Sequence, residues 1–261
     1  MSYISLTLFL TAALFAGMIV MLEIGRRIGV RRIAADPEGA KSGTGAIDGA
    51  VFALLGLLIA FTFSGATSRF DERRNLIIQE TNDVSTAYLR LDLLPAATQP
   101  ALRELFREYL DARLEIYQTL PDVRAARASL DRSLELQEDI WRQSVAAAGM
   151  TGAPLAANTL LLPALNQMFD ITTTRTMVMQ RHPPLVIFVL LFGMALISAL
   201  LAGFGMAHGK SRSWIHIIGF TFTMALAVNF IINIEYPRRG MIGLDSFDQS
   251  LWQLRQSMNP D

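Results

Sequence analysis

The chain has 261 residues, 52% of them hydrophobic, with 23 Lys+Arg balanced by 23 Asp+Glu and no cysteine. Zero net charge removes the electrostatic footprint expected of a nucleic-acid binder. The missing thiols exclude disulfides, cysteine nucleophiles and thiolate metal sites.

The charges are unevenly placed. Tyr3–Leu22, Gly49–Ser68, Pro183–Ala207 and Ser213–Ile234 hold no Asp, Glu, Lys or Arg, giving windows of 20, 20, 25 and 22 residues. A hydrocarbon core about 30 Å thick takes roughly 20 helical residues to cross. The predicted fold is therefore an all-α polytopic membrane protein with four spans. The first window reads as a retained span, because no basic segment precedes it and no small-x-small cleavage pattern precedes Glu23. Glu23 can pair with Arg26 or Arg27 at the helix end. The link to span two carries Arg26, Arg27, Arg31, Arg32 and Lys41, with a turn at Asp36-Pro37-Glu38-Gly39.

Span two carries Gly45, Gly49 and Ala53 at four-residue intervals, then Gly56 and Ala60. Ala53, Leu57 and Phe61 share one face, and a charged collar, Arg69 to Arg74, follows. Residues 69–182 hold 28 of the 46 charges, 13 basic and 15 acidic, and read as a helical insert outside the bilayer. Span two runs on as a stalk to Pro95, which stops it. Pro100 starts a second helix, whose Leu102, Leu105, Phe106, Tyr109, Arg113 and Tyr117 form a stripe with Glu104, Glu108, Asp111 and Glu115 outward. Pro121-Asp122 opens a third helix with Val123, Ala126, Leu130, Leu134, Trp141 and Val145 to one side, and Gly149 closes it. The segment Pro154–Gln180 is a fourth, interrupted by Pro163.

Span three has Ala195, Ala199, Gly203 and Ala207 at strict four-residue spacing, which suits close helix packing within or between chains. His208 to Arg212 joins it to span four, where Asn229 and Asn233 lie one turn apart and Glu235 follows. Polar groups at that depth face a partner or water. Residues 235–261 read as a tail. His182, His208 and His216 show no ligand spacing, and no phosphate-binding or nucleophile motif occurs. The sequence thus implies no enzyme, cofactor or metal.

The run Leu58-Ile59-Ala60-Phe61, with Arg69-Phe70 eight residues on and then Glu72 and Arg74, resembles the second span of bacterial bestrophins. Ile234-Glu235-x-Pro237-x-x-Gly240, followed by Asp245 and Leu251, resembles the segment after their last span. Leu22–Arg32, the turn at 36–39, Phe52–Arg74 and Thr86-Ala87-Tyr88-Leu89-Arg90 resemble the bestrophin-like family of bacterial membrane proteins over nearly the whole chain. The resemblance implies a homo-oligomer, a pentamer in bestrophins, in the inner cell membrane. Its second spans would line an anion pore with Phe61, Leu57 and Ala53 at the neck and Arg69, Glu72 and Arg74 at the mouth. Two residues depart from the pattern: Ala53 is small where the family has a bulky group, and Asp71 replaces an aromatic. The acidic calcium clasp of animal bestrophins is also missing. The insert and both termini would be cytoplasmic, whereas the basic short loops favour the opposite by the positive-inside rule. The alternative is a non-conducting scaffold or sensor whose insert binds a partner.

Overall fold

A computed structural model of the chain describes residues 3–36, 45–119, 122–209, 211–237 and 245–259. The Pro37–Gly39 part of the turn, Lys41, Lys210, Gly240 and the Tyr117 side chain lie outside the described residues. Among the described residues eight α-helices follow one another: α1 (Tyr3–Ala35), α2 (Gly45–Leu89), α3 (Gln99–Gln118), α4 (Val123–Ala148), α5 (Leu162–Met179), α6 (Leu185–Gly205), α7 (Trp214–Glu235) and α8 (Asp245–Ser257). A 3₁₀ turn (Arg90–Leu93) extends α2, a π-helical turn (Ala157–Leu161) precedes α5, and a second 3₁₀ turn (Met206–His208) ends α6. No strand occurs among the described residues. The protein is all-α, and α1, α2, α6 and α7 are long and apolar enough to cross a membrane. In α2 the stretch free of charge is 49–68.

The described residues divide into two compact units, Met1–Phe70 with His182–Ile242, and Asp71–Arg181 with Gly243–Asp261. In the first unit, the buried positions of α1 are Thr7 and then Leu14, Met18, Leu22, Gly25 and Gly29, the last five a stripe at three- and four-residue spacing. It faces the small-residue stripe of α6, where Ala195, Ala199 and Gly203 are buried. A Cβ on Gly203 would lie 2.0 Å from the Leu22 carbonyl oxygen, and one on Gly25 would lie 1.9 Å from that of Leu200. The two backbones touch there, so glycine is required on both helices. Small residues permit this approach where lipid supplies no hydrophobic drive between helices.

The second unit is organised by ions as much as by apolar packing. Asp122 caps α4 by accepting from the backbone N–H groups of Arg124 and Ala125, and Pro100 and Pro163 sit in the first turns of α3 and α5. Leu102, Phe106, Tyr109 and Arg113 of the α3 stripe are buried. The α4 stripe is only partly so: Ala126 is buried and Leu130 half-buried, but Val123, Leu134, Trp141 and Val145 are exposed. The inward face of α4 is instead Ala126, Ser129, Ser133, Leu136, Gln137, Ile140, Ser144 and Ala147. Its small side chains let α4 lie close to its neighbours, while Ser129 and Ser133 donate back to the Ala125 and Leu130 carbonyls at 3.2 and 2.7 Å. The Tyr109 hydroxyl lies 2.9 Å from Thr172 Oγ1 and receives Gln137 Nε2 at 3.3 Å.

Glu80 is the centre of this unit and is fully buried. Arg113 Nε donates to its Oε1 at 2.7 Å. Arg175 Nη1 donates to its Oε2, while Arg175 Nη2 reaches Asp248 of α8 at 3.1 Å. Burial pushes the Glu80 carboxyl up, but the charges of Arg113 and Arg175 and the hydrogen bonds they donate outweigh it and hold it at about 2. Burial, and then the Glu80 charge, push Asp83 up. Residues 245–259, read from sequence only as part of a tail, thus help to close the second unit. Arg255 pairs with Asp111 at 2.8 Å, and Thr81 meets Ser250 at 3.0 Å.

Two predictions follow from these contacts. Gly203→Val should cost roughly 3 kcal/mol, because a backbone contact cannot yield as a side chain can. Gly193→Ala, which meets nothing within 4 Å, should change stability by less than about 0.5 kcal/mol; thermal unfolding in detergent distinguishes them. For Glu80, the folded carboxyl titrates below its unfolded value, so its stabilisation is complete above about 4.5 and is lost as pH falls toward 2. The stability of the full chain relative to a Glu80→Gln variant, followed by proteolysis of the second unit, should therefore fall by roughly 3 kcal/mol across that window and stay flat above it.

Candidate functional site: the exposed face of span two and the ion cluster at its end

α2 packs within the first unit through one narrow face. Leu55 and Ala66 are fully buried, Leu58 and Ile59 pack on the same core, and Phe52 meets Phe220 edge-on at 6.2 Å. The opposite face is bare. Phe61 is 68% exposed and Leu57 51%, and Ala53, Ala60 and Ser64 are exposed beside them. Cβ atoms on Gly45, Gly49 and Gly56 would meet nothing within 4 Å, so these small residues pack against nothing among the described residues. Ala195, Ala199 and Gly203, in contrast, are all used in the α1–α6 contact.

An ion cluster closes the unit eight residues after Phe61. Glu235, at the end of α7, has a side chain with no exposed area. Arg69 grips it from α2, with Nε 2.9 Å and Nη2 2.7 Å from Oε2. His182 Nδ1 lies 3.1 Å from Oε1, and its ring stacks on Tyr236 with centroids 4.4 Å apart. Gly65 leaves room for the Arg69 guanidinium, since a Cβ there would sit 3.2 Å from Nη1. Beside the cluster is a crevice of about 200 Å³ walled by Leu58, Phe61, Gly65, Ile187, Phe188 and Ile231, with Arg69 and Glu235 also on its wall.

The other polar candidates are placed differently. Asn229 and Asn233 turn away from solvent: Asn229 Nδ2 donates to Thr11 Oγ1 of α1 at 2.7 Å, and Asn233 Nδ2 donates to Asn229 Oδ1 at 3.0 Å. They tie α7 to α1. Glu72 and Arg74 belong to the second unit, where Arg181 stands 3.8 Å from Glu72 and Asp71 stands 3.8 Å from Arg74. Sequence spacing gave no acid for His182; its partner lies 53 positions away, a separation no local motif records. Among the described residues, no group of three or more His, Asp and Glu side chains could hold a metal ion.

A family model for the bestrophin-like domain matches residues 12–246. The chain belongs to the bestrophin-like family. Its fold matches crystal structures of a bacterial bestrophin homologue from Klebsiella pneumoniae: one variant has 13% sequence identity and a TM-score of 0.67, covering 92% of this chain and 97% of that one. A second variant has 14% identity and a TM-score of 0.65, covering 94% and 98%. A crystal structure described as a membrane protein matches with 14% identity and a TM-score of 0.68, covering 92% and 96%. No curated protein matches the sequence. At these identities the structural likeness is one of fold.

The Arg69–Glu235 pair generates a stability prediction. Removing one partner of a buried pair leaves an uncompensated charge, which costs about 3 kcal/mol or more, whereas replacing both with apolar groups is often close to neutral. Arg69→Met should therefore destabilise the protein more than the double variant Arg69→Met/Glu235→Leu, as read by thermal unfolding in detergent. Equal losses would mean that the buried carboxylate is satisfied without Arg69.

Proposed function

We propose that this bestrophin-like protein is a homo-oligomeric anion channel of the inner cell membrane, with five α2 helices around the axis and Ala53, Leu57 and Phe61 forming its neck. One observation carries the reading: an apolar helix inside the membrane unit keeps a face lined with small and aromatic residues that the described residues of its own chain do not cover. Small residues allow close approach between helices of neighbouring copies, and an apolar constriction can gate by dewetting. At the neck, the positive edges of Phe61 rings favour an anion over a cation. Arg69 acts by positioning in this reading: its charge is spent on Glu235, so it fixes α2 against α7 and sets the level of Phe61. Glu72 and Arg74 line the mouth. Ala53 leaves its level of the neck wider than those of Leu57 and Phe61.

A second reading, a non-conducting scaffold or sensor, is supported by the uncovered stripe Leu134, Trp141 and Val145 on α4, which suits a partner helix. Subunit count separates the two, since a monomer or dimer cannot enclose an axis with α2. In liposomes, the purified oligomer should pass chloride, and Phe61→Ala should raise the flux severalfold. Folded wild type and variant that both fail to conduct would rule out the channel.

A further inference from the structure

The opposite end of the membrane unit carries a second cavity, of about 250 Å³, which the channel reading does not use. Its floor exists because α1 and α6 touch at Gly203 and Leu22; beside that contact Ile19, Met206 and Ile217 make an apolar wall. Its rim is cationic. Glu23 Oε1 accepts from Arg27 Nε at 2.9 Å and from Arg212 Nη2 at 3.0 Å, so one carboxylate oxygen holds two guanidiniums, one from the C-terminal third of α1 and one from just before α7. Arg26 adds a third guanidinium, half-buried, with no ion pair among the described residues. Three arginines against one glutamate leave a formal excess of two positive charges around a partly apolar hollow. Trp214, 54% exposed, stands on the same rim.

We infer that this cavity binds the phosphate of an anionic phospholipid, with Arg26, Arg27 and Arg212 as the headgroup clamp. The position carries the choice of ligand. All of these residues sit where charge-free spans end, at the level where an exposed indole is at home at the membrane–water boundary. Basic pockets between membrane helices at that level select anionic headgroups. The wall of Ile19, Leu22 and Ile217 is apolar, which a free anion would not require but an acyl chain would use. Glu23 is part of the design: it preorganises Arg27 and Arg212, which would otherwise repel each other, at the cost of one charge. The inference depends on the membrane fold and is independent of whether the protein conducts.

Full-length protein in which Trp141 and Trp252 are replaced by Phe, leaving Trp214, tests it in phosphatidylcholine vesicles. Chain-brominated phosphatidylglycerol should quench Trp214 with roughly fivefold higher apparent affinity than brominated phosphatidylcholine at equal mole fraction. Arg26→Gln/Arg212→Gln should abolish the preference, while Arg31→Gln/Arg32→Gln should keep it. Should the double variant elute as misfolded, Arg26→Gln alone serves, because Arg26 supports no ion pair. Equal quenching by the two lipids, or a preference that survives these substitutions, overturns the proposal. Loss of the preference on adding inorganic phosphate at matched ionic strength would also overturn it, by assigning the cavity to free phosphate.

Discussion

The membrane unit depends on the backbone contact between α1 and α6. Inside a bilayer a leucine gains little by leaving lipid for a neighbouring helix, so association rests on dispersion and on how closely two backbones can come. Gly25, Gly29 and Gly203 remove the side chains that would hold the helices apart, and Leu14, Met18, Leu22, Leu191, Ala195 and Ala199 close around the line of contact. With α1 committed to α6 on one side and bonded to α7 through Thr11 and Asn229 on the other, α2 is left to dock by a single narrow face. Its bare surface follows from how α1 uses its own.

Each unit also buries one carboxylate and satisfies it with arginine. Glu80 takes two guanidiniums and Glu235 takes one together with an imidazole. Such pairs often contribute little to stability compared with apolar replacements, because desolvation consumes the Coulombic gain. Their value lies in geometry: a bidentate guanidinium fixes both distance and orientation, which apolar contacts do not. Arg69 fixes the rotation of α2 about its own axis relative to α7, and Arg175 fixes α8 through Asp248. The low titration of Glu80 is the measurable sign of how strongly its site favours the charged form.

Much of this was legible from residues alone. The four spans follow from the absence of charge over lengths that match a bilayer, and Pro100, Asp122 and Gly149 mark helix ends because of what proline, a capping carboxylate and glycine do to local backbone. The inward face of α4 was not legible. Periodicity counts large apolar residues as buried, yet here Ser129 and Ser133 turn inward because a short hydroxyl can satisfy its hydrogen bond on its own helix and costs little space. The partner glycines on α1 were missed for a related reason: Gly25 and Gly29 stand among arginines, where the charged pattern conceals a packing stripe. Polar contacts such as His182–Glu235 are products of the tertiary fold, and spacing along the chain does not encode them.

If the proposed channel holds, the chemistry of the α2 face bears directly on its selectivity. If formal charge set the preference, Arg69, nearest in sequence to the neck, would supply it. Its guanidinium instead lies on a fully buried carboxylate, and Glu72 and Arg74 have counter-charges of their own within 4 Å. Charges so compensated project weak fields, weaker still across the Debye length of about 8 Å at physiological salt. Discrimination at Phe61 would then rest on desolvation and on the quadrupole of the aromatic ring, which acts over a few ångströms and does not bind an ion tightly. A neck of that kind trades steep selectivity for easy release, and it makes ring orientation the controlling variable. That orientation is set by the seating of α2, which returns the problem to the Arg69–Glu235 contact and, through α7, to the α1 helix on which the unit is built.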